Sequence, residues 1–389
     1  MKKKIKEKIL IINYEFPPLG GGGGVASYDL ALEWVKNYDV DVLTSSYKDI
    51  PSFEVMKGIN IHRVGVLGRN SRDAASFLSM YTYLITGFFK GIKLARKNKY
   101  TAINTHFAVP SGPLGYIISR IFRIPNVLSI HGGDIYDPSK KTSPHRSLIF
   151  KAVVKFVLNH ADRIVAQSSN THENALKYYS PNKAVDIIPL AYHPQKKPVS
   201  SFKLPELKKG EFSLITIGRL VKRKSVETII EAFAKEKELK LKLYVLGDGP
   251  EKEFLMNLSE KLGVRDKIYF AGFVTEKRKY EYLNLSDAYI MTSLHEGFGI
   301  VFMEAMDCSL PIICTNHGGQ TDFLFHEKNA LMINVGDVSA CAESIKRMVK
   351  DKKLYQKLAK NNKADVRKFY AENVAKQYED IFKVLADKK

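Results

Sequence analysis

The sequence predicts two doubly wound α/β domains joined by a linker, and three observations carry that prediction. Short β-rich runs alternate with helical patterns through the first half, the alternation fails between residues 192 and 211, and it restarts at 212. Strand–helix–strand alternation with apolar strands means a parallel sheet covered on both faces. A length of 389 residues also exceeds what one ordinary core serves. In such folds ligands bind beyond the carboxyl ends of the strands. With two domains the natural site is the cleft where they face each other.

The first-half strands are read at KILIIN (8–13), VDVLTS (40–45), INIHRVG (59–65), TAINTH (101–106), NVLSIH (126–131) and RIVAQS (163–168). Helical spacing fills the gaps at about 25–36, 74–97, 113–122 and 147–159. The stretch FLSMYTYLITGFF (77–89) is the most lipid-like. It falls short of the ~18 apolar residues that a membrane span needs, so a buried helix is expected. The segment YHPQKKPVSSFKLPELKKG (192–210) is rich in Pro, Lys and Ser and has no period, which marks a linker. Beyond it, strands are read at FSLITIG (212–218), LKLYVLG (241–247), KIYFAGF (267–273), AYIMTS (288–293), PIICTN (311–316) and ALMINV (330–335). The tail from 338 to 389 reads as helix. The domains are therefore placed at 1–195 and 212–365, with a linker at 196–211 and a terminal helix at 366–389.

Composition is that of a folded protein, 45% hydrophobic and 26% charged. The net charge of +20 attracts polyanions without choosing among them. The charge is spread and no basic recognition element stands out, so nucleic acid is not the expected partner. Three cysteines in no CxxC pair argue against a disulfide framework or zinc site and fit a reducing cytoplasm. The basic start MKKKIKEKIL lacks the apolar core and cleavage site of a signal peptide.

The informative clusters fall just past predicted strand ends. After the first strand, five glycines (Gly20 to Gly24) open onto a helix. Without Cβ atoms their N–H groups can approach an anion at the helix N-terminus. No GK[ST] follows, and the second strand ends without an acid to hold a ribose, so neither a Walker A loop nor a dinucleotide fingerprint is present. HGGD puts His131 and Asp134 on a bare loop. In the second half, IGRLVKRKS places Arg219 and Lys224 after Gly218, a fork and a point charge suited to a diphosphate. LGDGP repeats the strand–turn–helix theme at Gly247, and GFV (272–274) offers backbone near Val274 to a base edge.

HEGFGIVFMEAM (295–306) carries Glu296 on a loop and Glu304 within the following helix, with Gly297 and Gly299 between. A carboxylate is a natural acceptor for vicinal hydroxyls of a sugar or ribose. Two of them suggest two polyol rings, with N–H groups left for a phosphate between. A pair of hydrolytic carboxylates is the competing reading. The helix position of Glu304 and the glycine and basic loops argue against it. DVD (39–41) precedes the apolar half of its strand and lies at the wrong edge for a metal site. No metal and no cofactor are expected.

These motifs resemble the family 4 retaining glycosyltransferases of the GT-B fold, in that family's order and approximate spacing over nearly the whole chain. The resemblance implies a nucleotide-diphosphate sugar donor, of UDP or GDP type, in the C-terminal domain. The N-terminal domain would take the acceptor, a glycan that is lipid-linked or destined for the cell surface. By that likeness Arg219 and Lys224 hold the diphosphate and Glu304 takes the ribose hydroxyls. Glu296, with backbone at Gly297 and Phe298, takes the donor sugar. His131 lies near the reacting centre, and Gly22 and Gly23 approach phosphate or acceptor. The terminal helix is expected to cross back to the first domain. Three positions depart from the pattern: Ser225 where Gly is frequent, MDCSLP (306–311) where ACGLP is common, and Asp322 where Glu is usual. The last leaves the role of Asp322 open.

No side chain is an evident nucleophile, so sugar transfer with retained configuration is expected to use the donor's own phosphate as base. A nucleotide-sugar 2-epimerase of the same fold is the alternative. The net charge fits either a solvated basic surface or peripheral contact with an anionic membrane, with Arg63, Arg69 and Arg72 flanking the aromatic helix.

Overall fold

The computed structural model describes residues 6–70, 72, 75–140, 142–195 and 201–387. The basic start MKKKI and linker residues 196–200 lie outside the described residues. The chain divides into two compact units, Met1–His193 with Phe369–Lys389, and Pro194–Lys368.

The first unit is built on an eight-stranded sheet. Its elements are β1 (Lys8–Asn13), α1 (Gly22–Trp34), β2 (Asp39–Ser45), β3 (Phe53–Met56), β4 (Ile59–Val64), α2 (Phe77–Lys97), β5 (Tyr100–His106), α3 (Ser111–Phe122), β6 (Asn126–Ile130), α4 (Leu148–His160), β7 (Arg163–Ala166), α5 (Ser169–Tyr179) and β8 (Val185–Ile187). The strand order is β3-β4-β2-β1-β5-β6-β7-β8. Only β3 runs antiparallel, as an edge partner of β4. The chain crosses to β2 on one side of β1 and to β5 on the other. That reversal opens a crevice past the end of β1, where the glycine loop lies.

Ile9 and Ile11 of β1 face one side, with Trp34 of α1. Leu10 and Ile12 face the other, with Tyr83 of α2 and Ile118 of α3. All four strand residues are fully buried, which explains the unbroken apolar run. Asp41, the second acid of DVD, is a buried tie at the far strand end. It accepts from Asn60 at 2.8 Å and from the Tyr100 hydroxyl, beside Lys8 at 3.1 Å.

α2 departs from the buried helix expected. Tyr83 and Leu94 are buried, but Phe77, Tyr81 and Phe89 stand 55, 63 and 68% exposed. No helix among the described residues is long and apolar enough to cross a membrane.

The second unit carries β9 (Phe212–Ile217), α6 (Val226–Lys235), β10 (Leu241–Leu246), α7 (Lys252–Lys261), β11 (Ile268–Gly272), α8 (Glu276–Leu285), β12 (Ala288–Met291), α9 (Ile300–Asp307), β13 (Ile312–Thr315), β14 (Ala330–Ile333), α10 (Val338–Lys350) and α11 (Lys352–Asp365). Its six strands are all parallel, in the order β11-β10-β9-β12-β13-β14. Here the switch point lies between β9 and β12. The end of the linker lies along this unit: the Tyr244 hydroxyl donates to the Pro205 carbonyl at 2.8 Å, and Lys242 pairs with Glu206.

A last helix, α12 (Ala371–Ala386), belongs to the first unit. Its entry is pinned where the Tyr192 amide donates to the Phe369 carbonyl and the Ala371 amide donates to the Tyr192 carbonyl. Tyr378 and Phe382 then close edge-on over Trp34, at centroid distances of 5.8 and 5.3 Å.

Candidate functional site

In the second unit the loops after β9 and β12 meet at the switch point. A short 3-10 turn, Lys222–Lys224, ends at Ser225, whose φ of +47° is in the left-handed region. A serine there meets the strain that glycine avoids. Its hydroxyl is held by that of Thr228 at 3.0 Å, and its carbonyl accepts from Thr292 of the β12 loop at 2.7 Å. The turn carries Lys224 across Gly218 into contact with Glu296. Lys224 Nζ lies 2.7 Å from Glu296 Oε1. Arg223 donates to the same oxygen at 3.3 Å and to the His295 carbonyl at 2.6 Å.

Two cations thus share one carboxylate, with Glu296 buried, Lys224 mostly covered and Arg223 about a quarter exposed. Burial alone would raise the Glu296 carboxyl, but Lys224 and Arg223 beside it bring it down to about 2. Burial pulls the Lys224 ammonium below its usual value, Glu296 opposes that, and Arg223 adds to it. The Gly319 amide donates to the Glu296 carbonyl at 2.8 Å, so the β13 loop fixes the backbone from which this side chain projects.

Glu304 lies on α9, which opens at Gly299 with φ +88°. Its Oε1 meets Lys279 of α8 at 2.7 Å, while its buried Oε2 has no hydrogen-bond partner among the described residues. Burial raises the Glu304 carboxyl despite Lys279. A buried acceptor left unmatched costs about 1–3 kcal/mol and invites a donor. The loop after β10 lies flat on the β9 loop: a Cβ on Gly247 would fall 2.0 Å from the Gly218 carbonyl oxygen.

The predicted residues separate into two groups. The structure brings Gly218, Lys224 and Glu296 together, with Gly247 against them. Arg219 is exposed and outside the ion cluster, Val274 is half-buried beside exposed Phe273, and the Phe298 side chain is buried against Phe323. Arg223 and Lys279 were missed. Arg223 stood inside the KRK run, where three adjacent cations gave no reason to choose. Lys279 lies on a mostly polar helix with no local sign of a distant carboxylate.

In the first unit α1 begins at Gly22, earlier than the expected 25, so Gly22 and Gly23 form its first turn. Two side chains approach it, and a third backs one of them. A Cβ on Gly23 would lie 2.6 Å from the Phe107 ring and 3.3 Å from His131 Nδ1. His131 Nε2 is 2.9 Å from His106 Nδ1, and the rings of His106 and Phe107 lie against it. His131 Nδ1 has no partner among the described residues. Burial holds His131 down at about 4, so the imidazole is neutral near pH 7.

HGGD does not set its carboxylate on a bare loop. Asp134 is buried, and its two oxygens accept from the amides of Ala108 and His131 at 2.6 and 2.8 Å. It ties the β5 loop to the β6 loop and so positions His131. The arginine flank also needs correction. Arg63 and Arg69 are buried. Arg63 pairs with Glu54 and donates to the Pro17 carbonyl, and Arg69 donates to Ser45 and to the Arg72 carbonyl. Arg63 thus ties β3 to the stretch before the glycine loop, and Arg69 ties β2 to Arg72.

Comparison with known proteins agrees along the chain. The family described as Glycosyltransferase Family 4 matches residues 20–196, and the family described as Glycosyl transferases group 1 matches residues 200–365. The N-acetyl-alpha-D-glucosaminyl L-malate synthase of Bacillus anthracis is 27% identical over 99% of this chain and 99% of its own. The sucrose-phosphate synthase of Thermosynechococcus elongatus, a GT-B structure, superposes with a TM-score of 0.84 at 21% identity, covering 99% of this chain and 100% of that one. Anabaena HepE, solved in complex with UDP-glucose, superposes at 0.78 with 19% identity, covering 97% and 99%.

Proposed function

We propose, since the chain belongs to glycosyltransferase family 4 and has the GT-B fold, that it moves a sugar from a nucleotide-diphosphate donor to a glycan with retained configuration. The observation that carries the donor reading is the Arg223–Lys224–Glu296 cluster, in which two part-covered cations share one buried carboxylate at the switch point of the second unit. Its excess positive charge suits a diphosphate, and Arg219 would add an exposed fork. The donor's β-phosphate would lie against Lys224, and Glu296 would accept from hydroxyls of the sugar. The orphaned Glu304 Oε2 suits a ribose hydroxyl. HepE, with UDP-glucose bound, supports a nucleotide-sugar donor by fold likeness, and the test below separates UDP from GDP.

The acceptor is assigned to the first unit, on the glycine loop and His131. The glycosidic C1–O bond to the β-phosphate breaks as the C1–O bond to the acceptor forms on the same face. The acceptor's proton passes to a β-phosphate oxygen. Lys224 and Arg223 stabilise the developing charge, an electrostatic contribution of the kind that dominates many enzymes. Side chains supply the charge that a diphosphate needs, so transfer is expected to persist in EDTA.

The test is to incubate the protein with UDP- and GDP-sugars, with and without lipid-linked glycan acceptors. Proton NMR then reads the anomeric configuration of the product. Acceptor-dependent transfer with the donor's configuration is expected. An inverted product rejects the retaining mechanism, and a free epimer released without acceptor replaces the transferase reading with the epimerase one.

A further inference from the structure

Three helices of the first unit, α2, α3 and α4, lie side by side on one face of the sheet. No Asp or Glu occurs between Asp73 and Asp134, nor between Asp137 and Asp162, so none of the three helices carries a carboxylate. Their outward side is apolar at one end and basic at the other. Phe77 stacks on Phe150 at 5.6 Å, which joins the first turn of α2 to the first turn of α4. Around that contact Leu78, Tyr81, Leu148 and Ile149 stand 53, 63, 86 and 77% exposed. Ile85 and Phe89 extend the apolar stripe down α2.

Past them the same exposed stripe turns basic at Lys93, Arg96 and Lys97. Arg120 and Arg123 on and after α3, and Lys155 on α4, are exposed beside it. None of these six forms an ion pair with a described carboxylate.

Large exposed apolar side chains in a cluster mark an interaction surface. Apolar residues with cations and no acid fit an interface that is greasy inside and negative at its rim, as an anionic lipid bilayer is. A second copy of the same face would bring these cations against one another. We infer that the α2–α3–α4 face docks on an anionic membrane surface, with the α2 and α4 first turns entering the headgroup–acyl boundary and the Lys/Arg rows resting on headgroups.

The apolar end lies past the strand ends, on the side of the glycine loop. The segment between β4 and α2 joins them, since the Gly20 amide donates to the Arg72 carbonyl and the Ser76 hydroxyl to the Gly68 carbonyl. If the acceptor is lipid-linked, as the proposed function has it, its headgroup would reach the first unit from this side. Docking of this face is independent of what the acceptor is.

The experiment is co-sedimentation of the full chain with vesicles of phosphatidylcholine alone and of phosphatidylcholine doped with phosphatidylglycerol, at low and high salt. Two variants accompany it: an apolar one (Leu78→Ser, Tyr81→Ser, Leu148→Ser, Ile149→Ser) and a basic one (Lys93→Gln, Arg96→Gln, Lys97→Gln). All seven side chains are exposed, so unchanged melting temperatures are expected. The wild type should bind the phosphatidylglycerol vesicles, more weakly at high salt. The apolar variant should lose about tenfold or more in partition, and the basic variant should bind more weakly at low salt with a shallower salt dependence.

Failure of the wild type to bind at low salt overturns the inference, as does full binding by the apolar variant. A solution dimer dissociated by the apolar substitutions would overturn it in favour of a second copy. Nucleotide binding should be the same in all three proteins. Vesicle binding without any nucleotide binding would leave the membrane face standing and remove the transferase reading.

Discussion

Glu296 carries the most physical consequence of any single residue in the second unit. It is buried, it neutralises one of two adjacent cations, and its carboxyl sits at about 2 against an ordinary 4.5. A depressed carboxyl stabilises the fold above its unfolded pKa, and that contribution is lost as pH falls from about 4.5 toward 2. Glu296→Gln should therefore flatten the acid limb of the stability curve. At pH 7 it should also cost about 1–3 kcal/mol, because Lys224 is left mostly covered without its counter-charge while Arg223 keeps contact with water. Chemical denaturation of both proteins from pH 7 to 3 checks each expectation. In the functional reading the same variant keeps diphosphate binding and loses turnover, by about 100-fold or more. Steady-state kinetics beside nucleotide titration separates the two.

At the scale of elements, both switch points work through loops that lie on other loops. Gly247 has φ +131° and no room for a Cβ over the Gly218 carbonyl, whereas Gly21 has open space around it. Gly247→Ala should destabilise by several kcal/mol and Gly21→Ala by less than about 1 kcal/mol, read as urea midpoints. The strands on which these loops are mounted were legible from sequence because a parallel sheet buried on both faces spells continuous apolar runs. β1, β9 and β10 sit almost where KILIIN, FSLITIG and LKLYVLG put them. β3 and β8 were not legible, since one is a four-residue edge strand and the other is three residues long. α5 escaped because its SNTHENALKYY is mostly polar. Lys224 and Glu296 could be singled out because glycines and strand ends flank them. Their pairing with Arg223, the His106–His131 contact and the Lys279–Glu304 pair are tertiary facts, brought about by strand order that local pattern does not encode.

At the scale of the whole molecule, the chain finishes its first unit only with its last helix. Trp34, the single tryptophan, is fully buried and covered by Tyr378 and Phe382 of α12. Truncation after Phe369 should uncover it and red-shift its emission. It should also lower the melting transition of the first unit, while a chain ending at Asp387 keeps both. In the other unit, the cationic cluster around Glu296 is proposed to hold a nucleoside diphosphate. Calorimetric titration of the wild type and of Lys224→Met with UDP, GDP and ADP tests it most directly. At least one of the three should bind the wild type, and Lys224→Met should weaken that binding by about tenfold or more. Binding of none of the three, or equal binding by Lys224→Met, would contradict it.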